Sequence, residues 1–221
     1  MLFITPSSII LILSLFARRS IGISISMSIF NFTRFVDTII IWIIIKEVLS
    51  LYFLFKRLVI PGGESTTVGK LMEIYRLTEP LRRFVAKRPV LGTCAGLILL
   101  ARRTTGDQQP LLGAMDVVVH RNAFGRQVHS FESPVEIRLP GTDLEFSFPG
   151  VFIRAPWVDE VGPGVEVVAT LEGHIVGVFQ GHLLGLAFHP ELTEDHRIHR
   201  FFLDMVKKES EAKLVSASVG A

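Results

Sequence analysis

The pattern of hydrophobic and polar positions changes near residue 58 of this 221-residue chain. Before that point, apolar residues follow one another in blocks without a helical or strand period. Beyond it, short apolar runs end in turn residues and alternate with amphipathic stretches, as buried strands and surface helices do. This alternation predicts one α/β domain over residues 58–208, built on an open, mostly parallel sheet flanked by helices.

The predicted elements follow this alternation along the chain. The predicted strands are Leu58–Ile60, Val90–Leu91, Gly113–His120, Pro134–Leu139, Pro149–Ala155, Val165–Leu171, His174–Gln180 and Leu184–Phe188. The predicted helices are Val68–Tyr75, Glu79–Lys87, Leu97–Arg102 and Thr193–Val206. Because Glu172-Gly173 separates two alternating segments, these are expected to pair as a hairpin. Residues 209–221 are predicted to form a flexible tail.

Residues 1–57 form an atypical hydrophobic segment, for which three interpretations stay open. Residues 38–55 approach the roughly 20 apolar residues of a membrane-spanning helix, although Lys46 and Glu47 oppose that interpretation. A second interpretation is that the segment is an artefact of a wrongly placed coding start. A third is that it holds buried strands and helices of the domain.

Charge and cysteine content narrow the class of protein. Residues 1–57 carry six basic and two acidic side chains, so the net charge of +2 leaves the rest of the chain slightly acidic, without a basic surface for nucleic acid. A single cysteine excludes an internal disulfide and a cysteine-based zinc site, which favours a reducing compartment. We therefore expect a cytoplasmic protein, or alternatively one anchored to a membrane through residues 1–57.

The only cysteine, Cys94, lies between Gly92 and Gly96, after a predicted strand and before a predicted helix. Glycines on both sides of a nucleophile let strand and helix approach closely, and the nucleophile then projects from the edge of the sheet. A buried structural cysteine is the alternative interpretation, since free cysteines are commonly buried. The pattern therefore becomes informative only when a base and an oxyanion site accompany it.

Two further strand ends supply such partners. His189 and Glu191 follow the last predicted strand, where an imidazole can take the proton of a thiol and a carboxylate can orient the ring. The turn at 62–65 follows the first predicted strand, and its backbone N–H groups can face a developing oxyanion together with that of Ala95. A phosphate-binding loop is excluded at this turn because its glycine spacing and the residue after Lys70 are wrong.

Five segments together resemble the glutaminase subunits of pyridoxal 5′-phosphate synthases, which are class I glutamine amidotransferases. The segments are Pro61–Thr67, Gly92–Gly96, Arg121–Gln127, Phe152–Pro156 and His189–Glu191. The resemblance covers residues 58–206 and implies a flavodoxin-like α/β fold. It also implies hydrolysis of L-glutamine to glutamate and ammonia, with the ammonia passed to a synthase partner that makes vitamin B6.

Residue by residue, the resemblance assigns roles to the predicted site. Cys94 would form a γ-glutamyl thioester, His189 would act as base and then acid, and Glu191 would orient His189. Gly63 and Ala95 would donate hydrogen bonds to the oxyanion. The implied glutamine-binding residues are Gly63, Glu64, Ser65, Arg121, Ile153 and Arg154. No cofactor or metal is expected, since the spaced pair His196 and His199 is more typical of a solvated helix face.

The N-terminal segment departs from the family pattern. Family members begin with a strand, a Leu-Gln-Gly-type loop, a helix and a second strand, and residues 1–57 contain no recognisable version of them. The first strand–helix–strand unit is therefore expected to be missing or replaced. Two alternatives to an active synthase glutaminase follow: an impaired homologue or binding subunit with an incomplete fold, and an amidotransferase that serves another acceptor.

Overall fold

The computed structural model describes residues 57–106, 108–123 and 130–207. Its strands are β1 (Leu58–Ile60), β2 (Val90–Thr93), β3 (Ala101–Thr105), β4 (Met115–His120), β5 (Ser130–Arg138), β6 (Glu145–Ile153), β7 (Trp157–Val161), β8 (Glu166–Leu171), β9 (His174–Gln180) and β10 (Leu183–Leu186). Its helices are α1 (Ser65–Ile74), α2 (Thr78–Val85), α3 (Ala95–Leu100) and α4, over residues 197–207. A single 3₁₀ turn, Pro190–Leu192, follows β10.

The strands form one mixed sheet in the order β1-β2-β10-β9-β7-β4-β3, from which β8, β5 and β6 branch at β9. Pairing is parallel in β1-β2-β10 and in β3-β4. The other described pairs are antiparallel. In three of them, β5–β6, β8–β9 and β9–β10, a short turn joins the two strands. The predicted α/β class is confirmed, and so is the hairpin around Glu172-Gly173, but the antiparallel part of the sheet is larger than predicted.

Helix α3 packs into the centre of the domain, and all six of its residues are buried. Its first turn lies directly against the end of β1. A β-carbon at Gly96 would overlap the carbonyl oxygen of Ile60, so a side chain at this position cannot be accommodated without moving one of the two backbones. The backbones of helix α3 and strand β1 are therefore in direct contact.

Helices α1 and α4 begin three and four residues away from their predicted starts, whereas α2 and α3 begin within two residues of theirs. Helix α1 begins at Ser65 rather than Val68, because the Glu64 carboxylate caps it by accepting the N–H groups of Thr66 (3.1 Å) and Thr67 (2.6 Å). Helix α4 begins at residue 197 rather than 193, since a 3₁₀ turn occupies Pro190–Leu192 and Asp195 accepts the N–H of the first helical residue (3.0 Å).

Two strands were not predicted. Residues 101–102, predicted as the end of a helix, belong to β3, which pairs in parallel with β4. Strand β7 pairs with β4 and β9. The predictions for residues 1–57 and for the tail 209–221 lie outside the described residues, except for Arg57. Within the described ranges, no helix has the length and apolar character that crossing a membrane requires.

Candidate active site

The site lies where three neighbouring parallel strands, β1, β2 and β10, end. The 62–65 turn follows β1, Cys94 follows β2 directly, and His189 comes shortly after β10. Because β2 pairs with both other strands in parallel, their carboxyl ends meet at one edge of the sheet. The structure thus brings together the three segments that the sequence placed at strand ends.

Cys94 occupies a sharp turn between β2 and α3. Its backbone has φ 48° and ψ −102°, a combination that L-residues rarely adopt, and its N–H donates to the carbonyl of Leu186 on β10 (2.8 Å). Its side chain is only 6% exposed, and Sγ lies 3.8 Å from the carbonyl oxygen of Ile153. Strain of this kind at a strand-to-helix turn is typical of a nucleophile held in a fixed direction.

His189 is paired with Glu191, as its Nδ1 lies 2.8 Å from Glu191 Oε1. The hydrogen bond with the Cys94 thiol, followed by that with Glu191, raises the pKa of His189 to about 9 against the opposing effect of burial. Burial alone would raise the pKa of Glu191, but hydrogen bonds, chiefly that from His189, lower it on balance. The pair therefore favours an imidazolium beside a carboxylate. The Cys94 sulfur is the other group that shares a hydrogen bond with His189.

The position of His189 is determined on three sides. Its backbone N–H donates to the carbonyl of Val151 on β6 (2.8 Å), and its ring lies against the backbone of Gly62. Thr93 Oγ1 donates to Glu191 Oε1 at 3.4 Å, so β2 also contacts the carboxylate that orients the ring. The imidazole is thereby held with little freedom to rotate.

A cationic group lies over the first turn of α1. Arg121, which follows β4, donates from Nη2 to Thr66 Oγ1 (3.0 Å) and lies 3.6 Å from the Glu64 carboxylate. The hydrogen bond with Thr67 is the largest of the effects that lower the pKa of Glu64 to about 2, although partial burial opposes it. Glu64 therefore remains a carboxylate at neutral pH, and Ser65 beside it is buried.

The remaining predicted residues border this edge of the sheet. Gly63 is exposed in the turn after β1, and Ala95 is buried as the first residue of α3, directly after Cys94. Ile153 ends β6, and Arg154 follows it, exposed and with φ 44°. For Gly63, Ala95 and Arg154, the structure therefore gives a place at the site, and their functional roles stay predictions.

Four residues that the predicted set does not include contribute contacts at the site: Gly62, Thr66, Thr93 and Gln109. Gly62 and Thr66 lie in the motif that the sequence singled out, and Thr93 directly precedes the cysteine. Gln109 lies in the loop between β3 and β4 and carries no such signal.

His196, directly before α4, and His199, on α4, do not share one environment. His196 is exposed, as predicted for a solvated face, whereas His199 is half-buried and burial lowers its pKa. Among the described residues, no group of three or more metal-ligating side chains is placed to hold an ion.

Taken together, these observations define the chain as an α/β protein in which a cysteine, a histidine and a glutamate, Cys94, His189 and Glu191, lie together at one edge of a mixed sheet. Residues 39–208 match the model of the SNO glutamine amidotransferase family. The chain belongs to this family of glutamine amidotransferases, and the suspected class I relationship is confirmed. The matched range begins inside the predicted N-terminal segment, at residue 39.

Relatives support the same assignment. The chain is 55% identical over 161 residues to the pyridoxal 5′-phosphate synthase subunit PdxT of Geobacillus thermodenitrificans, covering 72% of this chain and 79% of the relative. It is 57% identical over 155 residues to the PdxT subunit of Corynebacterium jeikeium, covering 68% and 77%. A crystal structure of a glutamine amidotransferase matches with a TM-score of 0.63 and 49% identity, over 69% of this chain and 80% of the other.

Proposed function

We propose that the chain is a glutaminase that hydrolyses L-glutamine to glutamate and ammonia and supplies the ammonia to a pyridoxal 5′-phosphate synthase partner in vitamin B6 synthesis. The observation that carries this proposal is the arrangement of Cys94 beside a His189–Glu191 pair with a 2.8 Å contact. The family match and the identity to relatives named as synthase subunits support the choice of substrate and partner.

The first chemical step is attack of the Cys94 sulfur on the side-chain amide carbon of glutamine. His189 takes the thiol proton as the sulfur attacks, and its pKa, raised to about 9, favours the protonated imidazole that this transfer produces. Attack forms the S–C bond and places negative charge on the amide oxygen. We assign the donors to that oxygen to the backbone N–H groups of Gly63 and Ala95, since donors that are fixed before the reaction lower its barrier.

The second step releases ammonia and the third regenerates the thiol. His189 gives its proton to the amide nitrogen, the C–N bond breaks, and a γ-glutamyl thioester remains on Cys94. Neutral His189 then takes a proton from water, whose oxygen attacks the thioester carbon. The C–S bond breaks, glutamate leaves, and the proton on His189 returns to the shared pair with the sulfur. Glu191 keeps the ring oriented throughout.

Charged groups at the site match the charges of free glutamine. A guanidinium binds a carboxylate through paired, charge-assisted hydrogen bonds, so we assign the α-carboxylate to Arg121 or Arg154. The α-ammonium group needs acceptors, and the Glu64 carboxylate and the Ile153 carbonyl oxygen supply them. Ser65 and Gly63 complete the set on the 62–65 turn.

We also propose a cytoplasmic location. A chain with a single cysteine forms no internal disulfide, which favours a reducing compartment.

The test is ammonia and glutamate release from L-glutamine, measured on the full chain with and without a pyridoxal 5′-phosphate synthase subunit. We expect activity with the synthase present, and Cys94→Ala should reduce kcat by at least about 1,000-fold because the nucleophile is lost. Thr142→Ala, a substitution in the distant turn before β6, should keep full activity.

Two outcomes would contradict the proposal. Ammonia release that persists in Cys94→Ala would exclude the thioester route. A well-folded wild-type chain that is inactive with the synthase subunit would favour the impaired homologue, or an amidotransferase with another acceptor.

A further inference from the structure

The loop between β3 and β4 presents Gln109 to the first turn of α1. Its side-chain oxygen Oε1 accepts hydrogen bonds from Ser65 Oγ and from Thr66 Oγ1, both at 3.0 Å. A carbonyl oxygen has two lone pairs, so one amide oxygen can satisfy both hydroxyl groups. Gln109 thus joins two hydroxyls that lie 43 and 44 residues away in the chain, next to the predicted glutamine site.

These bonds continue to the arginine of the site. Thr66 Oγ1 accepts from Arg121 Nη2 at 3.0 Å while it donates to Gln109. A hydroxyl group has one proton, and giving it to Gln109 turns the oxygen lone pairs toward the guanidinium. Hydrogen bonds that run in one direction also polarise and strengthen each other. Gln109 therefore determines the direction from which Thr66 Oγ1 accepts the hydrogen bond of Arg121.

The loop that carries Gln109 is tightly held. A β-carbon at Gly69 of α1 would lie 2.7 Å from the carbonyl oxygen of Pro110, so the helix and the loop touch backbone to backbone. The N–H groups of Leu112 and Ala114 donate to the last turn of α3 (2.7 and 2.9 Å). Arg82 of α2 donates from Nε to the carbonyl of Leu112 (3.2 Å). Gln109 therefore has little freedom to follow a moving partner.

Stability alone does not account for a glutamine at this position. The Nε2 group of Gln109 is buried and has no hydrogen-bond partner in the described part of the chain. A buried amide N–H group without a partner is unfavourable, and this penalty offsets the stability that the two hydrogen bonds to Oε1 contribute. A glutamine at position 109 is explained if its side-chain oxygen is needed to orient the hydroxyl groups of Ser65 and Thr66.

We propose that Gln109 is a positioning residue for glutamine binding, which acts through Ser65 and Thr66 on the direction of the Arg121 guanidinium. The proposal rests on the proposed function, since it assigns Arg121 to the glutamine site. When Gln109 is removed, the Thr66 hydroxyl loses the acceptor of its proton and is free to rotate. Arg121 then loses a fixed acceptor, and glutamine binding weakens while the chemistry at Cys94 is spared.

The test compares Gln109→Met with its neighbour Gln108→Met, a matched control because Gln108 is exposed in the same loop. With the synthase subunit present, we expect Gln109→Met to raise KM for L-glutamine by about fivefold, the effect of one net hydrogen bond, with kcat within about twofold. Gln109→Glu keeps an acceptor oxygen and should restore KM to near the wild-type value. The unfolding midpoint of Gln109→Met should stay close to that of the wild type, because loss of the acceptor for Ser65 and Thr66 is offset by removal of the unpaired Nε2 group.

A second measurement separates this proposal from the proposed function. Phenylglyoxal modifies accessible guanidinium groups, and peptide mapping gives the rate at Arg121. We expect faster modification at Arg121 in Gln109→Met than in Gln108→Met, with or without glutaminase activity. Equal rates in the two variants would overturn the positioning role. An unchanged KM, or a KM that rises equally in both, would overturn it too, whereas an inactive wild type would contradict only the glutaminase.

Discussion

The backbone of Gly62 lies against the Cε1 edge of the imidazole ring of His189. A β-carbon at position 62 would overlap Cε1 of that ring and stand 3.0 Å from Nδ1 and 3.1 Å from Nε2. The turn after β1 and the histidine after β10 are therefore in direct contact, although 127 positions separate them in the sequence. The glycine supplies the space in which the imidazole meets Cys94.

Gly62→Ala should reduce glutaminase activity by about 100-fold, because the added methyl group pushes His189 out of line and misplacement by about 1 Å has effects of that size. The measurement is kcat/KM for L-glutamine with the synthase subunit. Gly181→Ala is the control, since this turn glycine has φ 62° and its loss strains the backbone away from the site. It should lower the unfolding midpoint with little change in activity, and a Gly62→Ala enzyme of full activity would contradict the contact.

Glu191→Gln should lower the pKa of His189, because it removes the negative charge and weakens the hydrogen bond that help to raise that pKa to about 9. In the wild type, activity should decline as pH rises through about 9, where the imidazolium loses its proton. In the variant, the decline should begin at a lower pH, and kcat at neutral pH should fall by about 10- to 100-fold. The check is a kcat profile over pH, and an alkaline limb that does not move would refute the pairing.

Cys94→Gly should be more stable than Cys94→Ala by about 1 kcal/mol. Both remove the sulfur, but only glycine relieves the strain of φ 48° and ψ −102°, which outweighs its larger entropy loss on folding. Urea unfolding of the two variants measures the difference. As a control, Ala95→Gly in the adjacent first turn of α3 should destabilise by up to about 1 kcal/mol. Equal stabilities of the two Cys94 variants would mean that the turn is not strained.

Glu64→Ala should destabilise the domain by about 1 kcal/mol at neutral pH, since it removes the N-cap of α1. The pKa of Glu64 is depressed from its ordinary value of 4.5 to about 2, so its contribution is complete above pH 4.5 and is lost as pH falls toward 2. The difference in unfolding free energy between variant and wild type should therefore shrink at acid pH. Glu73→Ala, near the other end of α1, should show no comparable effect, and a cap effect constant across pH would contradict the assignment.

The parts of the site that were predictable from sequence share a local signal. Cys94 lies between two glycines after an apolar run, and a strand followed by a tight turn and a helix is the simplest arrangement of that pattern. His189 and the 62–65 turn also follow short apolar strands, of which β10 is buried and β1 is partly exposed. Parallel strands bring their carboxyl ends to one edge, so local patterns were enough to bring these segments together.

The parts that were missed depend on contacts between distant segments. Arg102 and Arg103 follow the apolar run of α3 without a break, and only pairing with β4 makes them a strand. The first turn of α1 depends on the carboxylate of Glu64, which a search for apolar periodicity does not register. Gln109 has no motif around it, because its function arises from hydroxyls that approach it only in the folded domain.

Because Gly96 has no side chain, the first turn of α3 packs directly against Ile60 at the end of β1. This contact makes the geometry of the site partly independent of the stability of the domain. Cys94 directly precedes α3 and the 62–65 turn directly follows β1, and α3 and β1 meet chiefly through the main-chain atoms of Gly96 and Ile60. Their separation is therefore set by van der Waals contact between two backbones and not by rotamer choice. Conservative substitutions elsewhere in the core can loosen the domain and lower its melting temperature while the distance between the two halves of the site is retained. The thermal stability of this chain can thus change in evolution while the geometry of the site stays the same.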